Sequence, residues 1–176
     1  NGSPRPIFDF DEDRTYFRVI LPAHPRYVTI HALREAAQLW ATGERQKAIA
    51  RLEDTLRGNP SSGVIVSQLI DYHAALGDFV KAKSLVDQLD KQPLADGGHL
   101  AYIALARAHL DRRETSEALR LLEKLPPPDT ADEALEMAIL LKRSGRFKDA
   151  HKLFVEYYGA LEHDPKAVHE FAQTKI

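Results

Sequence analysis

The chain contains no cysteine, which excludes disulfide staples, a thiolate nucleophile and cysteine-ligated zinc. It has no apolar run near the roughly 18 residues that a membrane-spanning helix requires. Its opening stretch, Asn1 to Phe10, has neither the basic flank nor the apolar core of a secretion signal. The expected compartment is therefore the cytoplasm. A surplus of one charge sign is missing as well: 24 Lys and Arg face 26 Asp and Glu, for a net charge of -2. Near-neutrality argues against binding nucleic acid through phosphate contacts. With 44% hydrophobic and 28% charged residues over 176 positions, the chain can bury a core of ordinary domain size, which excludes wholesale disorder.

Chemistry-bearing motifs are also absent. The eight histidines (24, 31, 73, 99, 109, 151, 163 and 169) form neither an H-E-x-x-H pattern nor a two-Cys-two-His pattern, so no metal site is expected. Ser61-Ser62-Gly63 is not a nucleophile elbow and reads as a loop before a helix. Gly97-Gly98 lacks the lysine and the serine or threonine of a phosphate loop. Asp11-Glu12-Asp13 reads as a solvated turn, and His73 as a core histidine. Arg107, Arg112, Arg113 and Arg120 are diluted by Asp111, Glu114, Glu117 and Glu123, giving a mixed-charge surface rather than a nucleic-acid footprint. No catalytic residue, cofactor or metal is predicted.

What the sequence does contain is a repeat. Gly43, Gly77 and Gly145 recur at intervals of 34 and 68 residues. Each is followed five positions later by alanine, at Ala48, Ala82 and Ala150. The missing turn residue is expected at Asp111, in the loop Asp111-Arg112-Arg113-Glu114 that precedes Ala118. Prolines at 60, 93, 126–128 and 165 close the units, because proline cannot continue the preceding helix. Glycine permits the sharp turn between antiparallel helices, and alanine permits their close approach. Leu52, Val86, Leu122 and Phe154 then fill the space one turn further on.

With two helices per unit and a period of 34, residues 29 to 165 resemble the tetratricopeptide repeat family. The phrases that carry the resemblance are Ala41-Thr42-Gly43-Glu44-Arg45-Gln46-Lys47-Ala48, Leu76-Gly77-Asp78-Phe79-Val80-Lys81-Ala82 and Ser144-Gly145-Arg146-Phe147-Lys148-Asp149-Ala150. The fold this implies is all-α: a right-handed α-solenoid of about four helix-turn-helix repeats with a C-terminal capping helix. Predicted helices span 30–42, 45–57, 63–76, 79–91, 98–110, 115–125, 131–144, 147–161 and 165–174. Thr130 with Glu133 has capping-box spacing, and Asp164-Pro165 places an N-cap before a first-turn proline.

The first 28 residues form a separate unit. Pro6 to Phe10 and Arg14 to Leu21 are apolar or β-branched runs on either side of Asp11-Glu12-Asp13, which predicts a β-hairpin. A lone hairpin is marginal in water, so it is expected to pack on the first helices, to pair with another chain, or to complete a sheet upstream. Asp11-Glu12-Asp13-Arg14-Thr15-Tyr16-Phe17 and Leu21-Pro22-Ala23-His24-Pro25 resemble the end of the ATPase-like domain in a bacterial family of ATP-binding transcriptional regulators. That family carries a Schlafen-type, divergent-AAA domain and a histidine-kinase-like ATPase domain. The resemblance favours the upstream sheet and implies that residues 29–176 are the C-terminal arm of such a regulator.

The candidate site is a concave groove lined by the first helix of each repeat. With repeat starts at 29, 63, 97 and 131, its lining reads Leu33, Ala37 and Trp40, then Val64, Ser67, Asp71 and Ala74. Ala101, Leu105, Ala108 and His109 follow from the third repeat, and Leu135, Ile139, Lys142 and Arg143 from the fourth. Such a surface fits a partner helix or extended peptide oriented by Asp71, Lys142 and Arg143. Trp40 is expected to pack under the hairpin. The lysine and asparagines with which one subtype of these repeats clamps a peptide carboxylate are absent. The alternative role is self-association through the hairpin edge or the terminal helix.

Overall fold

The computed structural model describes residues 4–10, 16–21, 23–89 and 97–174. Two strands, β1 (Ile7–Phe10) and β2 (Phe17–Ile20), pair antiparallel with Ile7 opposite Ile20 and Phe8 opposite Val19. Among the described residues ten helices follow: α1 (Pro25–Ala41), α2 (Arg45–Gly58), α3 (Gly63–Ala75), α4 (Phe79–Leu89), α5 (Gly98–Asp111), α6 (Thr115–Leu122), α7 (Ala131–Arg143), α8 (Phe147–Glu156), α9 (Tyr158–Leu161) and α10 (Pro165–Ala172). The Asp11-Glu12-Asp13 turn and Pro93 lie outside the described residues.

Each helix pair closes in the same way. In the first, Gly43 N–H donates to Trp40 O and Glu44 N–H reaches back to Leu39 O, and the same two bonds recur at Gly77/Asp78 and Gly145/Arg146. This is the Schellman closure, which needs a left-handed residue at its centre. Gly43, Gly77 and Gly145 supply it at φ 86°, 78° and 81°. In the third repeat Arg113 supplies it at φ 64°, with Arg113 N–H on Leu110 O and Glu114 N–H on His109 O.

The turn residue of the third repeat is therefore Arg113, two positions beyond the expected Asp111. Counted from these turns, Ala48, Ala82, Ala118 and Ala150 all fall five residues on, and all four are fully buried. The backbone keeps one geometry in four repeats, while the third sequence segment slides by two residues within the period. A non-glycine residue there costs roughly 1–2 kcal/mol, which the surrounding helix packing absorbs.

Four small cores run along the chain. The first joins Ala32 and Ala36 of α1 and Ile49 and Leu52 of α2 to Ile65 and Leu69 of α3. The second joins α3 and α4 to Ala101, Ala104 and Leu105 of α5. The third joins α5 and α6 to Met137 and Leu140 of α7, and the fourth joins α7 and α8 to Leu161 and Ala167 at the C-terminal end. The first three cores each take two helices of one repeat and the first helix of the next, and the fourth is closed by α9 and α10, so no pair buries its apolar face alone. Leu52, Val86, Leu122 and Phe154 are all buried, as the alanine spacing predicts.

Both predicted caps form. Thr130 Oγ1 accepts from Glu133 N–H, while the Glu133 carboxylate accepts from Asp129 N–H at 3.0 Å. Asp164 accepts from Lys166 and Ala167 N–H ahead of α10.

Two predicted helices change most, and α6 ends at Leu122 rather than 125. Helix α1 starts at Pro25 rather than 30, because His24 Nδ1 accepts from Arg26 N–H and Pro25 suits the first turn. The division at residue 28 therefore falls inside a helix. The expected helix over 147–161 breaks at Tyr157, whose hydroxyl donates to Pro128 O, into α8 and α9.

Trp40 is also placed differently from expectation. Its ring stacks on Tyr72 of α3 at 3.9 Å with only 4° between planes, and the Arg45 guanidinium lies over it. An aromatic pair with this geometry ties the first repeat to the second. The hairpin gives it no cover: all four residues of β2 are exposed, as are Ile7 and Phe8.

Candidate functional site

Two residues are 200° on a helix with 3.6 residues per turn, so the shift at Arg113 turns the third repeat's predicted lining to the opposite face. Ala101, Leu105, Ala108 and His109 are all buried, at 0%, 2%, 6% and 7% exposure. They pack inside the second core or beneath the turn rather than lining a surface. The positions equivalent to Asp71 and Arg143 in the third repeat are Arg107 and Asp111. The signal for this register was present in the sequence, since Ala118 counted back by five gives 113.

The corrected register explains an ion-pair ladder across the first helices. Arg107 donates through Nη1 to both Asp71 oxygens at 3.1 and 3.2 Å, and through Nη2 to both Glu136 oxygens at 3.0 and 2.9 Å. One guanidinium of α5 thus clamps a carboxylate from each neighbouring repeat, a task for which its planar fork is suited and an ammonium is not. Burial raises the pKa of Asp71; Arg107 pulls it down, and Glu136 pushes it up again. Arg143 continues the ladder to Asp111 at 2.6 Å. Lys142 pairs with Glu170 and donates to Gln173 Oε1 at 2.7 Å.

The three charges predicted to orient a ligand, Asp71, Lys142 and Arg143, are therefore each engaged within the chain. Leu135 is buried in the fourth core at 6% exposure, and Ile139 is half-buried against the same core. Ser67 is half-buried, its hydroxyl donating to Val64 O at 2.9 Å. What remains open lies toward α1 and α3. Ile30 is 46% and Val64 37% exposed, Ala37 is exposed, and Leu33 is half-buried.

The other flagged residues have structural roles. His73 is buried beneath the second turn, where burial pushes its imidazole below the ordinary value and Asp78 pulls it back. His109 holds the same place in the third repeat, 2.8 Å from Glu114 Oε2 and edge-on to Phe79. Arg112 bonds Glu114 and covers Phe79, and Arg120 pairs with Glu117. No group of three potential metal ligands occurs among the described residues, and no described helix is long and apolar enough to cross a membrane.

No family model and no curated protein matches this sequence. Among solved structures, that of a MamA mutant superposes with a TM-score of 0.50 at 17% identity, covering 82% of this chain and 84% of its own. MamA is a tetratricopeptide-like protein, and at this level of identity the likeness concerns the fold alone: this chain has a tetratricopeptide-type helical repeat fold.

Proposed function

We propose that the chain is a non-catalytic docking module that binds a partner helix or extended peptide along its first-helix face, the concave side of a right-handed solenoid. The observation that carries this reading is the open apolar surface of Ile30, Leu33, Ala37 and Val64 on helices packed together through the first core. Partners that engage such faces present apolar side chains at helical or extended spacing. Of the residues first assigned to the groove, Ser67, Asp71, Ile139, Lys142 and Arg143 border this face, and Asp71, Lys142 and Arg143 fix its shape through their ion pairs.

The hairpin phrases support a wider setting in which the module is the C-terminal arm of a cytoplasmic bacterial transcriptional regulator with ATP-binding domains upstream. Partner docking would then bias those domains. To test the docking role, the unmodified chain and an Ile30→Asp, Val64→Asp variant are compared in affinity capture from native lysate with mass spectrometry. A protein retained only by the unmodified chain supports the module. Equal retention by both removes the groove.

A second reading, self-association through the hairpin, has its own observation. Phe8, Phe17 and Val19 are exposed on one side of the sheet, which has two strands, each with an unpaired edge, among the described residues. Sedimentation at high concentration decides it: a dimer that Phe17→Ser, Val19→Ser dissociates supports the reading, and a monomer throughout removes it.

A further inference from the structure

The first-helix face is uneven in its charges. From Asp71 onward, Asp71, Arg107, Asp111, Glu136, Lys142 and Arg143 are all paired inside the chain. On α1 the situation is the reverse: Arg26 and Arg34 are exposed and have no partner among the described residues. At 100° per residue, Arg26, Ile30, Leu33, Arg34 and Ala37 fall within about 100° of arc, one face of the helix. On α1 and α3, Glu35 is occupied by Arg51 at 2.5 Å and Asp71 by Arg107.

We propose that this strip docks an acidic amphipathic segment of a protein partner, with its apolar side chains over Ile30, Leu33 and Val64 and its carboxylates on Arg26 and Arg34. The inference rests on the docking reading above and adds to it the position and the chemistry of the ligand. Two free guanidiniums with no acid between them attract carboxylates in bidentate geometry and repel a basic segment. Arg26 and Arg34 are eight residues apart, about 12 Å along the helix, so carboxylates seven or eight residues apart on a partner helix match them. Equivalent positions on adjacent packed helices lie about 8–10 Å apart, which places Val64 beside Ile30 and gives the apolar stripe the width of a single ligand helix.

The test is selection from a phage-displayed library of random 16-residue peptides on the full chain, followed by fluorescence anisotropy with the selected peptide made synthetically. The expected ligands carry Asp or Glu on either side of Leu, Ile or Phe. Arg26→Glu with Arg34→Glu should weaken binding about tenfold or more at low salt, whereas Lys148→Glu on the distant α8 should not. A peptide with Lys in place of its acids should bind the doubly reversed variant better than the unmodified chain. Because both arginines are exposed and unpaired among the described residues, the thermal melt and the Trp40 fluorescence serve as checks that the variant is folded.

Basic or uncharged ligands, binding indifferent to the double reversal, or no enrichment at all would overturn the proposal. If binding ignores the arginines yet is abolished by Ile30→Asp with Val64→Asp, the docking reading stands and only the acidic ligand falls. If binding ignores both pairs, the two fall together.

Discussion

The first helices of repeats one and two and those of repeats three and four share one backbone geometry but use their outward surface differently. Over α5 and α7 that surface is cross-linked: Arg107 holds Asp71 and Glu136, Arg143 holds Asp111, and Lys142 holds the terminal helix through Glu170. Over α1 it is apolar, with two cations that have no partner among the described residues. A surface whose charges are spent on its own neighbours holds the repeats in place and gives a ligand little to recognise. A surface with unspent charges and exposed apolar side chains is the reverse. The C-terminal half is therefore read as the brace and the N-terminal half as the docking end.

The largest expected effect breaks the brace at its core. Phe154→Ala removes a fully enclosed aromatic and should cost about 3–5 kcal/mol. Because each core touches only its neighbours, helix loss seen by circular dichroism in denaturant should precede the change in Trp40 fluorescence, which reports the first two repeats. Coincident transitions would show that the two halves are energetically one unit.

Next comes the ladder. Arg107→Met leaves Asp71 and Glu136 facing each other without their cation and should cost about 1–2 kcal/mol; the side chains are partly exposed, so solvent screens the loss below that of a fully buried pair. The cost should shrink when Glu136→Gln is added, a double-mutant cycle readable by chemical denaturation. Glu136→Gln alone removes a like charge and should lower the Asp71 pKa, measurable by NMR titration of its carboxyl carbon.

Turn substitutions test whether the four closures are equivalent. Gly77→Ala should destabilise by about 1 kcal/mol through backbone strain alone, since no atom lies within 4 Å of the added methyl. Arg113→Gly should do the opposite by about 0.5–1 kcal/mol. A loss of stability on Arg113→Gly would contradict the assignment of residue 113 as the third turn.

The smallest effect is a pH slope. The pKa of His73 is lowered in the folded chain, so the imidazole stays neutral there at a pH where the unfolded chain already binds a proton. Its stability contribution is complete above about pH 6.5 and is lost as pH falls below that value toward the folded pKa. His73→Phe should flatten this part of the stability-pH curve.

Much of this architecture is legible in the sequence because the alanines and turn glycines answer to local geometry. Ala48, Ala82 and Ala150 are needed where helices touch, and Gly43, Gly77 and Gly145 where φ is positive. The third register departs from expectation because a strict 34-residue spacing points to Asp111, whereas the left-handed residue that closes the turn is Arg113, two positions on. Counting back five from Ala118 rather than on by 34 from Gly77 gives the right register, and with it the outward place of Arg107. The ladder itself was not legible. Arg107 finds partners 36 residues back and 29 residues on, and only the stacking of three helices shows that they meet. The early start of α1 left the same mark as α10, a capping side chain followed by proline, and was hidden by reading His24-Pro25 as the end of the hairpin.

The most direct test of the division between brace and docking end is photo-crosslinking of the phage-selected peptide to the full chain carrying a photoreactive residue at position 30 or at position 139. Position 30 is over the open strip, and position 139 is beside the cross-linked half. A crosslink from 30 and none from 139 is the predicted result. A crosslink from 139 with none from 30 would place the ligand on the ion-paired surface and contradict the account.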